Sequence, residues 1–480
     1  MSPVRPVVIG AGPAGLRAAQ ALVAAGLRPV LIDENPAPGG QIYRQMPAGF
    51  VRSPRALYGF EHKKAVAVHA VLAQLDGKID YWPAALVWNA QRGAISVAVD
   101  GAIKAVTYTH LIVAAGATDR VLPFPGWLVP GVYTLGGSQV ALKYQGCAIG
   151  RKVVFAGTGP LLYLVAYQYA KAGARVVAVL DTAAAAARRS ALPGLLRAPA
   201  LVGKGLYYMA WLRAHGVPLH SGVRLCRVKG DDRVAGIIWE TQGAAGLRQH
   251  ELACDAVACG YALRSETQIA DLLGCGFQFS EQDRAWLPQR DAMGRTSVPG
   301  VYIAGDGAGI SGADAAEMSG EQAAYALLQD LGLQTPSTRI ARLAKALGKI
   351  AGIRRSLEKA FPFPAEWAAD ADDDLVVCRC EEVTVGQLRR AADSCGVSEM
   401  NRLKALSRVG MGRCQGRMCG PAAAEILARQ LDVPVKDVGR LRSQAPVKPM
   451  PISTFETVAQ DGGDKNSQPT RMEKPGIEHV

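Results

Sequence analysis

"PVVIGAGPAGLRAAQALVAAGLRPVLIDENPAPGGQIY", residues 6–43, decides the fold. Val7, Val8 and Ile9 make a short apolar run of the kind buried inside a parallel sheet. Gly10, Gly12 and Gly15 follow at once as GxGxxG, with Pro13 and Ala14 before the last glycine. Leu16, Ala19, Leu22 and Val23 then recur at helical spacing. A second strand, Val30 to Ile32, ends in Asp33. Gly10 permits the tight turn, Gly12 lets backbone approach a pyrophosphate, and Gly15 lets helix pack on strand. The helix N-terminus supplies partial positive charge for the phosphates. Asp33 stands where a carboxylate can accept bonds from ribose hydroxyls, and Glu34 is its rival. In "PGGQIYR", Gly39 and Gly40, followed by Gln41, allow close approach to a second part of the same ligand. The plain alternative there is an ordinary Pro-Gly loop.

The rest of the chain has room for more. Its 480 residues suggest about three domains. Half the residues are hydrophobic and 53 are Gly, which suits an α/β enzyme with many tight turns. No run of about 18 apolar residues occurs, so no membrane span is expected. The N-terminus enters a strand within five residues and lacks a charged-then-apolar leader, so the protein reads as cytoplasmic. Ten cysteines are then reduced thiols or metal ligands. The net charge of +13 is not gathered into Lys/Arg-rich runs, so no nucleic-acid partner is expected; an electron-transfer or subunit interface fits better.

"HLIVAAGATDRVLPFPG" reads as a strand, His110 to Ala114, ending in Ala115 and Gly116. "VPGVYIAGDGAG" reads as another, Val301 to Ala304, ending in Gly305 and Asp306. A carboxylate beside glycines at a strand's C-terminal end lies where parallel sheets bind ligands. The order GxGxxG, acid, GG, AAG and GD resembles the two-dinucleotide-binding-domain, glutathione-reductase-like flavoproteins, over roughly residues 1 to 335. The resemblance implies FAD in the first fold, with Asp306 on its ribityl chain.

"KVVFAGTGPLLYLVAYQYAKAGARVVAVLDT" repeats the βαβ logic with Gly157, Gly159 and Asp181. Leu162 stands where the third glycine belongs, and would push the helix off the strand or force a different approach. Asp181 argues against a ribose 2′-phosphate. NAD, ATP or an empty fold all remain open. No CxxC dithiol occurs here, and Cys147, Cys226, Cys254, Cys259 and Cys275 read mostly as small buried hydrophobes. Residues 190–215 read as helix with an aromatic face, either core or a partner surface.

"AFPFPAEWAADADDD" reads as a solvated linker. Beyond it come Cys378 and Cys380, then Cys414 and Cys419: C-x-C, 33 residues, C-x4-C. Four thiolates can bind zinc or a 2Fe–2S cluster. C-x-C is poorly shaped for a zinc knuckle. Arg402, Lys404, Arg408, Arg413 and Arg417 would stabilise an anionic cluster, and Gly410, Gly412, Gly416 and Gly420 would free backbone N–H groups to point at sulfur. A helix from Pro421 would face it with its N-terminus. These features point to 2Fe–2S, with zinc or no metal as the other readings. Cys395 reads as a packed spare thiol.

The stretch resembles the bacterioferritin-associated-ferredoxin-like 2Fe–2S domain, whose second pair is usually C-x2-C. The C-x4-C form, with "DENPAPGGQIYR" and "CRCEEVT…GMGRCQGRMC", resembles the α-subunits of hetero-oligomeric amino-acid dehydrogenases, over about residues 1 to 450. Members act on proline or hydroxyproline, on opines, or on glycine in hydrogen cyanide synthase. The resemblance implies an electron-transferring oxidoreductase subunit, because no segment is left to hold an amino-acid substrate. It implies a substrate-oxidising FAD β-subunit, with a small third subunit in some assemblies, FMN at a subunit interface in some members, and delivery to a quinone or the respiratory chain. A peripheral association with the inner face of the membrane is compatible with that role. A self-contained NADH-dependent reductase is the alternative.

The expected fold is α/β: tandem Rossmann-like, glutathione-reductase-like domains plus a small, mostly α C-terminal 2Fe–2S domain. Residues 1–120 and 285–335 would form a discontinuous FAD-binding domain, and 121–284 the second nucleotide-binding, NAD-like domain. Residues 336–374 would be a helical arm and linker, 375–440 the 2Fe–2S domain, and 441–480 an extended tail, disordered after about 456.

Overall fold

A computed structural model describes residues 4–47, 49–243 and 246–454. The opening stretch forms the strand Pro6–Ile9, the helix Pro13–Ala24 and the strand Val30–Ile32. These strands belong to a five-stranded parallel sheet. Its order is Val301–Ile303, His110–Val113, Pro6–Ile9, Val30–Ile32 and Asp80–Trp82. Val7, Val8, Leu31, Ile32, Leu111 and Ile112 are all but inaccessible to water, as expected of strands covered on both faces. The long helix Ala313–Asp330 lies against Pro13–Ala24. Gly320 makes this possible: a Cβ there would stand 2.0 Å from the carbonyl oxygen of Ala14.

A second five-stranded parallel sheet has the order Leu219–Ser221, Arg175–Asp181, Lys152–Thr158, Ala256–Tyr261 and Val132–Thr134. The chain crosses between the two sheets through a short antiparallel pair, Ala117–Asp119 with Leu263–Ser265. The C-terminal region is mostly helical, with Val385–Cys395, Met400–Ser407 and Gly420–Gln430. Thr384 and Gln387 close a reciprocal capping box on the first of these.

Two expectations are corrected here. The stretch 360–374 is a solvated linker only in part: Asp370, Asp372, Asp373 and Asp374 are exposed, but the segment is anchored by apolar groups. Ala368, Ala371 and Leu375 are buried in a hydrophobic cluster that runs from Trp127, in a turn, and Val257, in the second sheet, into Leu388, Leu403 and Ile426. Trp367 Nε1 donates to the Pro123 carbonyl at 2.7 Å, and Trp127 Nε1 donates to that of Val376 at 2.8 Å. The prolines and acids were legible; the two indoles that pull the segment inward outweigh them, because each buries a large apolar surface. Trp367→Ala is expected to cost about 3 kcal/mol of stability, read by chemical denaturation.

The other correction concerns 190–215. It is two helices, Ala185–Leu195 and Pro199–Ala214, and of the second only Leu212 is buried. Leu196, Leu201, Leu206 and Tyr207 are exposed. Core packing holds for one face, where Tyr208, Met209, Trp211 and Leu212 pack on the second domain's core, and the opposite face is exposed. Among the described residues, no helix is long and apolar enough to cross a membrane. The tail beyond 454 lies outside the described residues.

Candidate flavin and iron–sulfur sites

The glycine turn closes as its residue types demand. Gly10 has φ +101°, and a Cβ on it would stand 2.4 Å from the Ala114 carbonyl oxygen. A Cβ on Gly15 would stand 1.7 Å from the Gly10 carbonyl oxygen, so helix and strand meet at backbone distance. Gly39 N–H donates to the Ala11 carbonyl at 2.9 Å, and a Cβ on Gly40 would lie 3.0 Å from Gly12 Cα. The turn, Pro13, Ala14 and the Gly39–Gly40 loop are thus one cradle. Gln41 lies at its rim, accepting from Arg44.

The rival acids separate cleanly. Asp33 is buried and accepts from Ala11 N at 2.5 Å and from Asn35 N at 2.6 Å, which ties its carboxylate to the glycine turn. Burial raises its pKa against these donors. Glu34 points elsewhere and pairs with Lys448. Across the sheet, a Cβ on Gly305 would lie 2.9 Å from Ala14 Cβ, and one on Gly307 would lie 3.7 Å from Gly116 N and 3.8 Å from Ala115 N. Asp306 Oδ1 accepts from Ser311 N at 2.8 Å and Gly312 N at 3.1 Å. Burial raises its pKa also. All these expected residues except Gln41 and Glu34 therefore converge on one cleft at the C-terminal ends of the strands.

The second fold is built differently. Gly157 is as tightly hemmed as Gly10, with a Cβ position 1.9 Å from the Gly260 carbonyl oxygen. Gly159 caps the helix Pro160–Lys171. Leu162 is wholly buried in the core under that helix with Phe155 and Val179, so a side chain fills the space that the third glycine would leave empty. Asp181 is fully buried and bound by its own chain. It accepts from Tyr163 Oη at 2.6 Å, Arg188 Nη1 at 2.6 Å and Ala183 N at 2.9 Å. A ribose would have to displace one of these donors. Arg188 also donates to Ser221 Oγ at 2.5 Å, so a cation stands beside the acid whose charge was expected to repel a phosphate.

The four cysteines of the C-terminal domain meet although up to 41 positions separate them. The Cys419 thiol donates to the sulfurs of Cys378 and Cys414, and that of Cys380 to Cys414. These bonds, with N–H donors from Gly410, Glu381 and Cys380, hold Cys378 down at about 6. Cys414, with N–H donors from Met418 and Gly416, is held down at about 5. Cys419, donating to both, is pushed up. Thiolate ligands are what a metal centre needs. Among the described residues, no group of three or more His, Cys, Asp or Glu side chains is set ready to hold a single metal ion. Gly412 lets the two halves close, since a Cβ there would stand 2.2 Å from Cys380 Cβ. Cys419 caps the helix Gly420–Gln430, so that helix starts at the cluster position. The thiols, the sulfur-directed amides and the helix start fit a 2Fe–2S cluster.

Several details differ from expectation. Gly420 N–H donates to the Gly416 carbonyl at 2.8 Å, because it already belongs to the helical turn, and not to sulfur. The basic stretch does not keep its charges free of acids. Arg408 pairs with Glu381 at 2.7 Å and Arg417 with Glu266 at 3.1 Å, both acids lying outside the stretch. Cys395 is exposed, as is Cys147, whereas Cys254, Cys259 and Cys275 are buried. Burial pushes Cys254 and Cys259 up to about 12, which makes them inert thiols. An open hollow of about 410 Å³, lined by Arg379, Cys380, Glu381, Gly412 and Arg413, leads to the thiols from the surface. Residues 264–268, which touch the cysteine loop, carried no motif that could have marked them in the sequence.

Residues 4–323 match the pyridine nucleotide-disulphide oxidoreductase family, and 376–429 match the BFD-like [2Fe-2S] binding domain. The chain belongs to that oxidoreductase family. Within it, the chain is a member of the α-subunit group of hetero-oligomeric amino-acid dehydrogenases. It is 37% identical over 466 residues to an opine oxidase subunit from Agrobacterium tumefaciens (strain Ach5), covering 93% of this chain and 90% of that one. It is 34% identical over 473 residues to the hydrogen cyanide synthase subunit HcnB of Pseudomonas protegens, covering 95% and 98%. The solved L-proline dehydrogenase from P. horikoshii shares the fold, with a TM-score of 0.70 at 18% identity over 94% of this chain and 79% of that one. A flavin- or nucleotide-binding fold joined to a [2Fe-2S] domain makes this chain an oxidoreductase subunit of the flavoprotein, iron–sulfur type.

Proposed function

We propose that this chain is the electron-transfer subunit of a multi-subunit amino-acid dehydrogenase. The first fold holds FAD, through Gly10, Gly12, Pro13, Ala14, Gly15, Asp33, Gly39, Gly40, Ala115, Gly116, Gly305 and Asp306. Cys378, Cys380, Cys414 and Cys419 hold the 2Fe–2S cluster. A partner FAD subunit oxidises an imino acid, an opine or glycine, and the electrons pass through this chain to a quinone or another respiratory acceptor. FAD supplies two-electron capacity and the cluster one-electron delivery. The chain's own residues bind and orient these groups: the glycine turn seats a pyrophosphate, Asp33 takes ribose hydroxyls, and the loop amides direct N–H groups at sulfur.

The observation that carries this reading is the seat of the cysteine loop directly on the flavin fold. Gln268 Nε2 donates to the Gln415 carbonyl at 3.0 Å, two positions from the turn that contacts Gly116. The exposed rings of Phe60 and Tyr207, 5.1 Å apart, with exposed Leu206 next to Tyr207 in the chain, form an apolar patch that supports a partner subunit. FMN at that interface, contact with the inner membrane face and a small third subunit belong to the same proposal. The division of the chain at residues 120, 284, 335, 374 and 440 is part of it too.

The test is co-expression with a candidate FAD partner subunit, followed by a dye-linked screen of proline, hydroxyproline, opines and glycine. The expected result is a complex that reduces dye with one of these substrates, and a lone chain that does not. A lone chain active on an amino acid overturns the proposal. NADH is expected not to bleach the flavin within the dead time or over seconds of stopped-flow mixing, since Tyr163 and Arg188 already occupy Asp181. Rapid bleaching favours the self-contained NADH-dependent reductase.

A further inference from the structure

The five residues Arg264–Gln268 touch the flavin cleft on one side and the cysteine loop on the other. Towards the cleft, Ser265 Oγ donates to the Asp306 carbonyl at 2.6 Å and accepts from Gly309 N at 3.0 Å. Glu266 N–H donates to the Gly116 carbonyl at 2.9 Å. Towards the cysteines, Arg264 Nη1 donates to the Arg417 carbonyl at 2.8 Å, and Gln268 Nε2 to that of Gln415 at 3.0 Å. Glu266 pairs with Arg417 Nε at 3.1 Å, with both side chains largely buried.

Charge adds to geometry. Arg264 is half-buried, and its guanidinium is held on the Arg417 carbonyl, in the loop between Cys414 and Cys419. A four-thiolate cluster is anionic, and its reduction adds one more negative charge. A fixed cation in a poorly screened place favours that reduced form, and a fixed carboxylate opposes it. Both charges are fixed on the same loop, Arg264 at the Arg417 carbonyl and Glu266 at Arg417 Nε, so their effects on a cluster there should have opposite sign.

We propose that Arg264–Gln268 is the strut that sets the cysteine loop against the flavin turn, with Arg264 a positioning residue that raises the cluster's reduction potential and Glu266 one that lowers it. This rests on the reading of the chain as a flavin and 2Fe–2S relay. The test uses the full-length holoprotein. The cluster is titrated anaerobically with EPR detection, and the flavin by its visible absorbance. Arg264→Gln is expected to shift the cluster's reduction equilibrium about tenfold towards the oxidised form, about 59 mV for a one-electron couple. Arg264→Lys, which keeps the charge, should restore most of the shift. Glu266→Gln should move the potential in the opposite direction, and the flavin potential should stay in place throughout. Where Arg264→Gln does not accumulate, the opposed pair Arg264→Lys and Glu266→Gln decides the matter: Arg264→Lys near wild type with Glu266→Gln shifted upward supports the strut. Variants with wild-type flavin and iron content but unmoved potentials, or shifts of one sign, overturn the inference. A wild-type protein that holds neither flavin nor iron overturns the functional reading and the inference with it.

Discussion

Replacing Cys414 with serine leaves a chain that keeps its flavin and loses its iron–sulfur centre altogether. Cys414 is the hub of the thiol group. It interacts with both Cys419 and Cys380, and its thiol is held below the ordinary cysteine value. A serine hydroxyl at that place stays protonated and cannot supply a soft anionic ligand. The residues proposed to hold the flavin lie in other segments, 9–16, 33–40, 114–116 and 305–312, so flavin binding should be unaffected. The measurement is iron and sulfide content, with the EPR signal of the dithionite-reduced protein. Full iron–sulfur absorption in Cys414→Ser would remove Cys414 from the ligand set. Electron delivery to one-electron acceptors should fall to background while the flavin remains reducible.

Gly15→Val does the reverse. Its first carbon would stand 1.7 Å from the Gly10 carbonyl oxygen and 3.3 Å from Val8 Cγ1. Both obstacles are in the strand and turn that shape the flavin cradle, and neither is the end of a flexible chain. The helix Pro13–Ala24 must retreat, taking with it the N–H groups expected to meet the pyrophosphate. Overpacking of this kind costs about 3 kcal/mol, enough to expect loss of bound flavin and a lower melting temperature. Retention of stoichiometric flavin in Gly15→Val would show that this turn is not the binding cradle. The same change at Leu162 of the second fold has no counterpart, since a large side chain already occupies that place.

The contrast between the two folds explains what could be read without coordinates. Local geometry is legible wherever a residue type has one physical use. Gly10 and Gly15 are required by distances to backbone, which no side chain can satisfy, and they were recognisable from spacing alone. The C-x-C and C-x4-C pairs were recognisable because few chemical roles place four thiols at such intervals. The acid at Asp181 was equally visible, yet its use was not. Its partners Tyr163 and Arg188 stand 18 residues before it and seven after it, and only folding shows that their donors reach it. Likewise the acids that offset Arg408 and Arg417 come from Glu381 and Glu266, outside the basic stretch.

Short-range pattern by itself determined the two parallel sheets' opening strands, the glycine cradle, the identity of Asp33 as an acid on time, and the four cysteines. These depend on neighbours within a turn or a strand, where spacing and backbone stereochemistry leave little choice. Tertiary structure alone decided the rest. It tied Asp33 to the glycine turn and paired Glu34 with Lys448, which arrives from more than 400 residues away. It drew Trp367 inward to the Pro123 carbonyl, and it laid Arg264–Gln268 between flavin turn and cysteine loop. Each of these depends on which charged or apolar group meets which across long loops, and burial, not spacing, sets that outcome.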